Sequence, residues 1–387
     1  MFNIQKLNKV SQVGLDQFTD NYHIADEVSN PDAILVRSKV LHEMEFNSNL
    51  KAIVRIGAGV NTIPLERCTD AGICVFNCPG GNANSVKELV VAMTIAAMRN
   101  VFPAMNWVKG LNDEEIVPGN KVEDGKEIFL GSEIMAKTIG IIGVGAVGSK
   151  VARACYDLGI KVMGYDPFLP HLRRQELSQF CNFTDNLDDL LSACDVISVH
   201  IPLEEKNKGF IGKKEIEKMK DGVFFINYAR GPVVDNDAVC DALDSGKFSG
   251  FATDFPTARE AKHPKAIFTP HLGAATPQAE ENCCIMGARQ CMDYLENGNI
   301  TNSVNLPDVS FARADGARIT VIHKNQVGML GLMTDKVSAM GLNIENLVNK
   351  GRDKVAYTIL DFNTSVPAEL IKAIEAIDGV IRVRVIE

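Results

Sequence analysis

Three glycines and one carboxylate carry the most specific chemistry in this chain. The run Thr138-Ile-Gly-Ile-Ile-Gly-Val-Gly-Ala-Val-Gly148 puts Gly143, Gly145 and Gly148 at Gly-x-Gly-x-x-Gly spacing, and Asp166 follows one strand later. In such a turn the first glycine permits the reversal, the second lets the backbone approach a pyrophosphate, and the third lets helix and strand pack closely. Residues 139–142 are expected to form a short buried strand. Residues 149–158 are expected to form a helix whose free N–H groups and dipole face an anion. Residues 161–165 read as the next strand, which Asp166 ends. A carboxylate there accepts hydrogen bonds from a ribose 2′-OH and repels a 2′-phosphate. The motif therefore implies NAD rather than NADP. The spacing alone is a weak signal, but strand, helix and acid together make it specific.

A second group could handle a charged substrate and its proton. Asn227-Tyr-Ala-Arg-Gly231 follows an expected strand at 223–227, and ligands of open α/β sheets bind at such strand ends. Arg230 there could clamp a carboxylate with two parallel N–H bonds and polarise the adjacent carbonyl. The plainer reading is a surface arginine in a salt bridge, but the fixed Gly231-Pro232 turn favours function. His271, in Thr269-Pro-His-Leu-Gly-Ala-Ala-Thr276, stands between another strand end and a helix. Imidazole exchanges a proton near neutral pH, as hydride transfer at an alcohol carbon requires, although a lone histidine at such a place is more often structural. Asp254 ends a third strand and suits a nicotinamide carboxamide, or else is only a cap. Arg37, Ser38 and Lys39 follow strand 33–36, and Arg55, Gly57, Ala58 and Gly59 close strand 52–56. Small residues let backbone N–H groups face an anion. Two basic clusters in an acidic chain suit a substrate with more than one negative charge, the alternative being ordinary surface charge.

These groups need a framework, and the bulk numbers bound it. A chain of 387 residues suggests two or three domains. A net charge of −9 argues against a nucleic-acid surface. The longest apolar runs are half the roughly 20 residues a membrane helix needs, and no signal-peptide pattern opens the chain. The ten cysteines form no CxxC and no zinc spacing with histidine, so the expectation is a cytoplasmic protein with no metal. Short apolar runs alternate with helical patterns, which indicates parallel α/β architecture.

Strands are expected at 33–36, 52–56 and 73–76, then at 139–142, 161–165, 196–200, 223–227, 250–254 and 266–269. A helix at 82–99 leaves the first domain. The weakly patterned arm 100–133 carries Trp107 and either embraces a second subunit or is a solvated connection. A helix at 276–296 returns the chain to the first domain. The expected division is 1–98 with 277–305 for substrate, 99–276 for the dinucleotide, and 317–387 after a linker at 302–316. A cleft between the first two would hold cofactor and substrate. The last segment reads strand 318–323, helix 328–340, strands 343–349 and 356–361, helix 367–377 and strand 380–386. That βαββαβ order is ferredoxin-like.

Taken together, the glycine run with Asp166, Asn227-Tyr-Ala-Arg-Gly-Pro, Pro270-His-Leu-Gly-Ala, Arg55-Ile-Gly-Ala-Gly-Val-Asn61 and Asn77-Cys-Pro-Gly-Gly-Asn82 resemble the D-isomer-specific 2-hydroxyacid dehydrogenases. The whole chain is similar to the short branch of that family that ends in one ACT regulatory domain. The resemblance implies a Rossmann dinucleotide domain, a flavodoxin-like substrate domain and a ferredoxin-like ACT domain. It implies oxidation of D-3-phosphoglycerate to 3-phosphohydroxypyruvate with NAD, the first step of L-serine synthesis.

By family role, Arg230 binds the α-carboxylate and polarises the 2-oxygen, and His271 is the acid/base. Gly57, Ala58 and Gly59 hold the carboxylate through their backbone, and Arg37, Ser38, Lys39 and Arg55 line the substrate. Gly143, Gly145, Ala146, Val147, Gly148, Asp166, His200, Pro202, Ala229, Asp254 and Gly273 are the cofactor positions. The family's glutamate that orients the histidine has no direct counterpart in Asp254-Phe-Pro-Thr-Ala-Arg-Glu260. Ala258 stands in its place, and Glu260 is the nearest carboxylate. Ile322-His-Lys-Asn-Gln-Val-Gly328 and Gly341-Leu-Asn-Ile344 resemble serine-binding segments, with His323, Asn325 and Asn343 at the matching positions. The resemblance implies L-serine as effector and a homodimer or homotetramer. The rivals are a dehydrogenase for glyoxylate, hydroxypyruvate or 2-oxoglutarate, which would not need the basic set, and a non-catalytic NAD-dependent binding protein.

Overall fold

The computed structural model describes every residue of the chain except Lys9 and Asp315, so the expected linker at 302–316 lies partly outside the described residues. The chain divides into two compact units, residues 1–82 with 277–387 and residues 83–276.

The first unit contains a parallel sheet built from β1 (Phe2–Lys6), β2 (Tyr22–Ala25), β3 (Ala33–Val36), β4 (Ala52–Arg55) and β5 (Cys74–Phe76). Their order is β2-β1-β3-β4-β5, the flavodoxin-like arrangement. Every residue of β3 is buried, as expected of a strand covered on both faces. Sequence pattern gave no sign of β1 and β2. In β1 only Ile4 is fully buried, so no apolar run marks it.

The second unit holds β6 (Thr138–Ile142), β7 (Lys161–Tyr165), β8 (Asn182–Phe183), β9 (Val196–Val199), β10 (Val223–Asn227), β11 (Phe248–Thr253) and β12 (Ala266–Phe268). The parallel order β12-β11-β10-β9-β6-β7-β8 makes a doubly wound sheet. Strand order reverses between β6 and β9, the point at which such sheets bind dinucleotides. The boundary between the units falls before helix Ala83–Met98, whereas the sequence pattern places it after residue 98. Val86 and Val90 of this helix join the core of the second unit with Ile139, Ile141 and Val151. The helix is thus bound to the dinucleotide sheet by packing that periodicity does not reveal.

The C-terminal module is β13 (Arg318–Lys324), helix Met329–Ala339, β14 (Asn346–Arg352), β15 (Val355–Asp361), helix Ala368–Glu375 and β16 (Val380–Ile386). Its sheet is antiparallel with order β14-β15-β13-β16, which is ferredoxin-like. β14 starts and ends three residues later than the apolar pattern suggests, because pairing with the buried β15 continues through Arg352 opposite Val355. Alternate residues face opposite ways. Ile319, Val321 and Leu360 pack on the two helices, while Ile322, Tyr357 and Ile359 pack with Phe76 and Tyr294 of the first sheet's core.

One buried ion pair fixes this docking. Arg318 and Asp361 face each other across β13 and β15 and are 0% and 1% exposed. Arg318 Nε donates to Asp361 Oδ1 at 2.6 Å and Nη2 to Oδ2 at 2.9 Å. Its remaining N–H groups reach the carbonyls of Asn297 at 2.8 Å, Phe311 at 3.2 Å and Ala312 at 3.1 Å. All five donors of the guanidinium therefore have somewhere to go, which burial of a charge demands. Arg318→Ala leaves Asp361 charged and unpaired, so urea unfolding is expected to show a loss of about 3–5 kcal/mol. The double variant Arg318→Met/Asp361→Leu is expected to regain more than half of it.

Candidate active site

The glycine run forms the turn between β6 and helix Ala146–Asp157. Gly143 has φ +87°, and a Cβ there would lie 3.0 Å from the His200 carbonyl. A Cβ on Gly148 would lie 2.0 Å from the Gly143 oxygen, while nothing comes within 4 Å of the position at Gly145. Gly143 and Gly148 thus serve the fold, and Gly145 keeps space open. The helix starts at Ala146 and Val147 without a side-chain cap, so its first N–H groups and dipole are available to a pyrophosphate. Asp166 has a second task. Its Oδ2 accepts from Val144 N–H at 2.9 Å and its Oδ1 from Phe168 N–H at 3.0 Å, which anchors the turn. At the end of β9, the His200 ring lies 2.9 Å from Ser198 Oγ, and burial pushes its pKa down to about 4, leaving it neutral. Pro202 follows as the chain leaves the sheet, its carbonyl accepting from Asn207 at 2.6 Å.

Three neighbouring strand ends supply the reactive groups. After β10, Asn227 shapes the turn by donating to the Arg230 carbonyl at 2.9 Å and accepting from Ala229 N–H at 3.1 Å. Arg230 Nη1 donates to the Ala229 carbonyl at 2.7 Å, and among the described residues no carboxylate pairs with it. After β11, Asp254 is 3% exposed, and its Oδ2 accepts from Gly273 N–H at 2.8 Å. After β12 comes Thr269. Asp254 Oδ1, Thr269 Oγ1 and the Tyr228 hydroxyl are all buried without a protein partner. Buried polar atoms are normally bonded. A carboxamide, which both donates and accepts, fits such a set, so these residues fit the nicotinamide of NAD. Sequence reading missed Tyr228 and Thr269. The available signal was a polar residue directly after an apolar strand, inside motifs already noted.

Burial raises the Asp254 carboxyl above the usual range, against the pull of the Gly273 N–H, His271 and Arg230. His271 is exposed, with its ring 4.5 Å from that of Phe255. No hydrogen bond joins Glu260 to it. The Glu260 carboxylate is 0% exposed; its Oε2 accepts from Thr257 N–H at 2.7 Å, and its Oε1 is buried without a protein partner.

The first unit carries its own anion-facing groups. Backbone N–H groups of Arg37, Ser38 and Lys39 converge on Asn8 Oδ1 at 3.0, 3.1 and 3.2 Å. Arg37 pairs with Glu280 at 2.6 Å. Arg55 Nη1 donates to the Ile56 carbonyl at 2.9 Å and folds over Gly57, where φ is +140° and a Cβ would lie 1.4 Å from Nη1. Cys78 N–H holds the Gly57 carbonyl at 2.9 Å and Asn77 the Ala58 carbonyl at 2.7 Å. With those carbonyls tied, the N–H groups of Gly57, Ala58 and Gly59 have no acceptor among the described residues. They form an open nest.

In the C-terminal module, His323 is 2% exposed. Its ring nitrogens lie 2.8 Å from the Lys324 carbonyl and 2.9 Å from Thr358 Oγ1. Asn325 donates to the Asp353 carbonyl at 3.2 Å, and Asn343 to Glu345 at 2.9 Å. All ten cysteines are free and buried. Among the described residues no group of histidine, cysteine and carboxylate could hold a metal, and no single helix is long and apolar enough to cross a membrane.

Comparison with known proteins agrees with this geometry. Residues 91–273 match the D-isomer specific 2-hydroxyacid dehydrogenase, NAD binding domain. The chain is 32% identical to D-3-phosphoglycerate dehydrogenase of Haemophilus influenzae over 95% of its own length and 89% of that protein's. It is 36% identical to the Archaeoglobus fulgidus protein of the same name, over 73% of this chain but only 53% of that one. Among solved structures, D-lactate dehydrogenase of Aquifex aeolicus, complexed with NAD and lactic acid, is 26% identical. It superposes with a TM-score of 0.59 over 79% of this chain and 100% of its own.

The raised Asp254 carboxyl has a consequence for stability. A carboxyl whose folded pKa exceeds its unfolded value destabilises the fold once it ionises. Asp254→Asn is therefore expected to raise the Tm at pH 7. The gain should shrink as pH falls through the folded pKa and vanish below about 3.9. Calorimetry across that range checks the sign, and NADH titration of the same variant is expected to show binding weakened roughly tenfold.

Proposed function

Because the chain belongs to the D-isomer-specific 2-hydroxyacid dehydrogenase family and is an NAD-dependent oxidoreductase, we propose that it oxidises D-3-phosphoglycerate to 3-phosphohydroxypyruvate, the first step of L-serine synthesis. The observation that carries this reading is the set of relatives bearing that activity in their names, at 30–32% identity over about nine-tenths of their length. The basic set supports it, since an unphosphorylated substrate would not need Arg37, Lys39 and Arg55.

NAD held by the Gly143–Gly148 turn, Asp166 and Asp254 would supply the hydride acceptor. The protein's own groups do the rest. Arg230 binds the α-carboxylate with paired N–H bonds and polarises the 2-oxygen. His271 takes the hydroxyl proton. The N–H groups of Gly57, Ala58 and Gly59 hold carboxylate oxygens, and Arg37, Ser38, Lys39 and Arg55 serve the phosphate. Glu260 is left with a structural role at the Thr257 turn. L-serine would act through the C-terminal module at His323, Asn325 and Asn343.

The arm supports self-association. Helix Val101–Lys109 has no buried residue, and Val117, Ile128 and Leu130 are 75%, 67% and 74% exposed. Such apolar surface marks an interaction site, here with a second copy. In light scattering, Ile128→Glu/Leu130→Glu is expected to lower the subunit count.

NADH oxidation at neutral pH with 3-phosphohydroxypyruvate beside hydroxypyruvate tests the substrate. A preference for the phosphorylated compound of at least about a hundredfold in kcat/KM is expected, near 2.7 kcal/mol of discrimination. Equal or better use of hydroxypyruvate would move the chain to the rival dehydrogenases. Inhibition by added L-serine would assign the module.

A further inference from the structure

A cavity of about 410 Å³ lies where the C-terminal module meets the segment leading into β4. Ser48, Asn49 and Lys51 line one side; Glu375, Arg382 and Arg384 line the other. All belong to one compact unit.

The charges around it do not balance locally. Lys51 is answered by Asp32 at 2.6 Å. Arg382 and Arg384 have no carboxylate partner among the described residues. Arg382 donates to the Leu50 carbonyl and, at 3.1 Å, to that of Ser48. Arg384 donates to the carbonyls of Tyr294 at 3.2 Å and Leu295 at 2.8 Å, and its guanidinium lies 4.6 Å over the Tyr294 ring. Carbonyls satisfy the direction of an N–H bond but bring no net charge. Two residues apart on one strand, the arginines project to the same face about 7 Å apart. Burial and the charge of Arg384 both disfavour the cation at Arg382. A Cβ on Gly72 would lie 2.8 Å from that of Arg382, so close packing limits the strand's freedom to move away.

We propose that this cavity is a binding site for a phosphate-type oxyanion, held by Arg382 and Arg384 with the Ser48 hydroxyl as a neutral donor, while Lys51, whose three N–H groups go to Asp32 and Asn49, adds charge at longer range. The ligand is inorganic phosphate or the phosphate group of a small phosphomonoester, and Glu375 limits its affinity. Bound there, it joins the C-terminal strand to the segment that runs through β4 to Arg55. The site is separate from the substrate-binding groups and does not depend on which 2-hydroxy acid is the substrate.

Isothermal titration of the full-length protein, with NADH and saturating substrate analogue present to occupy the catalytic site, tests this. Inorganic phosphate and glycerol 2-phosphate serve as separate probes, and the tighter of the two identifies the source. Phosphate is expected to bind at one site per chain. Glu375→Gln is expected to tighten it about three- to tenfold, and Arg384→Met to abolish it. Because Arg384→Met also removes two bonds to carbonyls, circular dichroism must show it folded; Ser48→Ala, which is expected to weaken binding about threefold, replaces it if it is not. Absence of saturable binding by either probe overturns the proposal, as does an unchanged affinity in Glu375→Gln.

Discussion

The dinucleotide unit depends on one close approach, that of the Gly148 Cα to the Gly143 carbonyl. A side chain at either position would push the helix off the strand. Because none is there, the helix begins directly above the end of β6, with its unpaired N–H groups turned to where a pyrophosphate would lie. Asp166 then locks the turn through two backbone N–H groups. The placement of the remaining cofactor residues follows from the parallel sheet. Parallel strands end on the same side, so Tyr228, Asp254 and Thr269, distant in sequence, emerge from the adjacent strands β10, β11 and β12.

Each unit leaves polar groups unsatisfied. Asp254 Oδ1, Thr269 Oγ1 and the Tyr228 hydroxyl have no protein partner, and the N–H groups of Gly57, Ala58 and Gly59 have no protein acceptor. Each costs stability in the free protein, and each is what a ligand would restore. Glu260 is a mixed case: its Oε2 accepts from Thr257 N–H, while its buried Oε1 has no protein partner. Burial keeps the Asp254 carboxyl closer to neutrality than an exposed carboxylate.

Arginine organises the C-terminal module. Arg318 reaches back to the end of helix Pro277–Asn297, Arg384 to the same helix and Arg382 to the segment before β4. Each contacts backbone carbonyls rather than surface carboxylates. These bonds are short-range and geometrically strict, and they sit around a shared apolar core that contains Tyr294 and Tyr357. The module is docked on the first sheet by packing and bonding together.

The sequence by itself determined the parallel α/β class, the ferredoxin-like order at the C-terminus and the NAD turn with its acid, and it singled out Arg230, His271 and Asp254 as candidates. These are local: a strand, a turn and a polar residue occupy a few consecutive positions, and their spacing is readable. The edge strands β1 and β2, the transfer of helix Ala83–Met98 to the dinucleotide unit, the burial of Glu260 at the Thr257 turn, and the burial of His323 were decided only by the tertiary structure. Each depends on which residue lies opposite which across a sheet or core, at separations over which sequence carries no period. A carboxylate six positions from Asp254 looks as available as Asp254 itself until the fold buries it and the Thr257 N–H takes one of its oxygens.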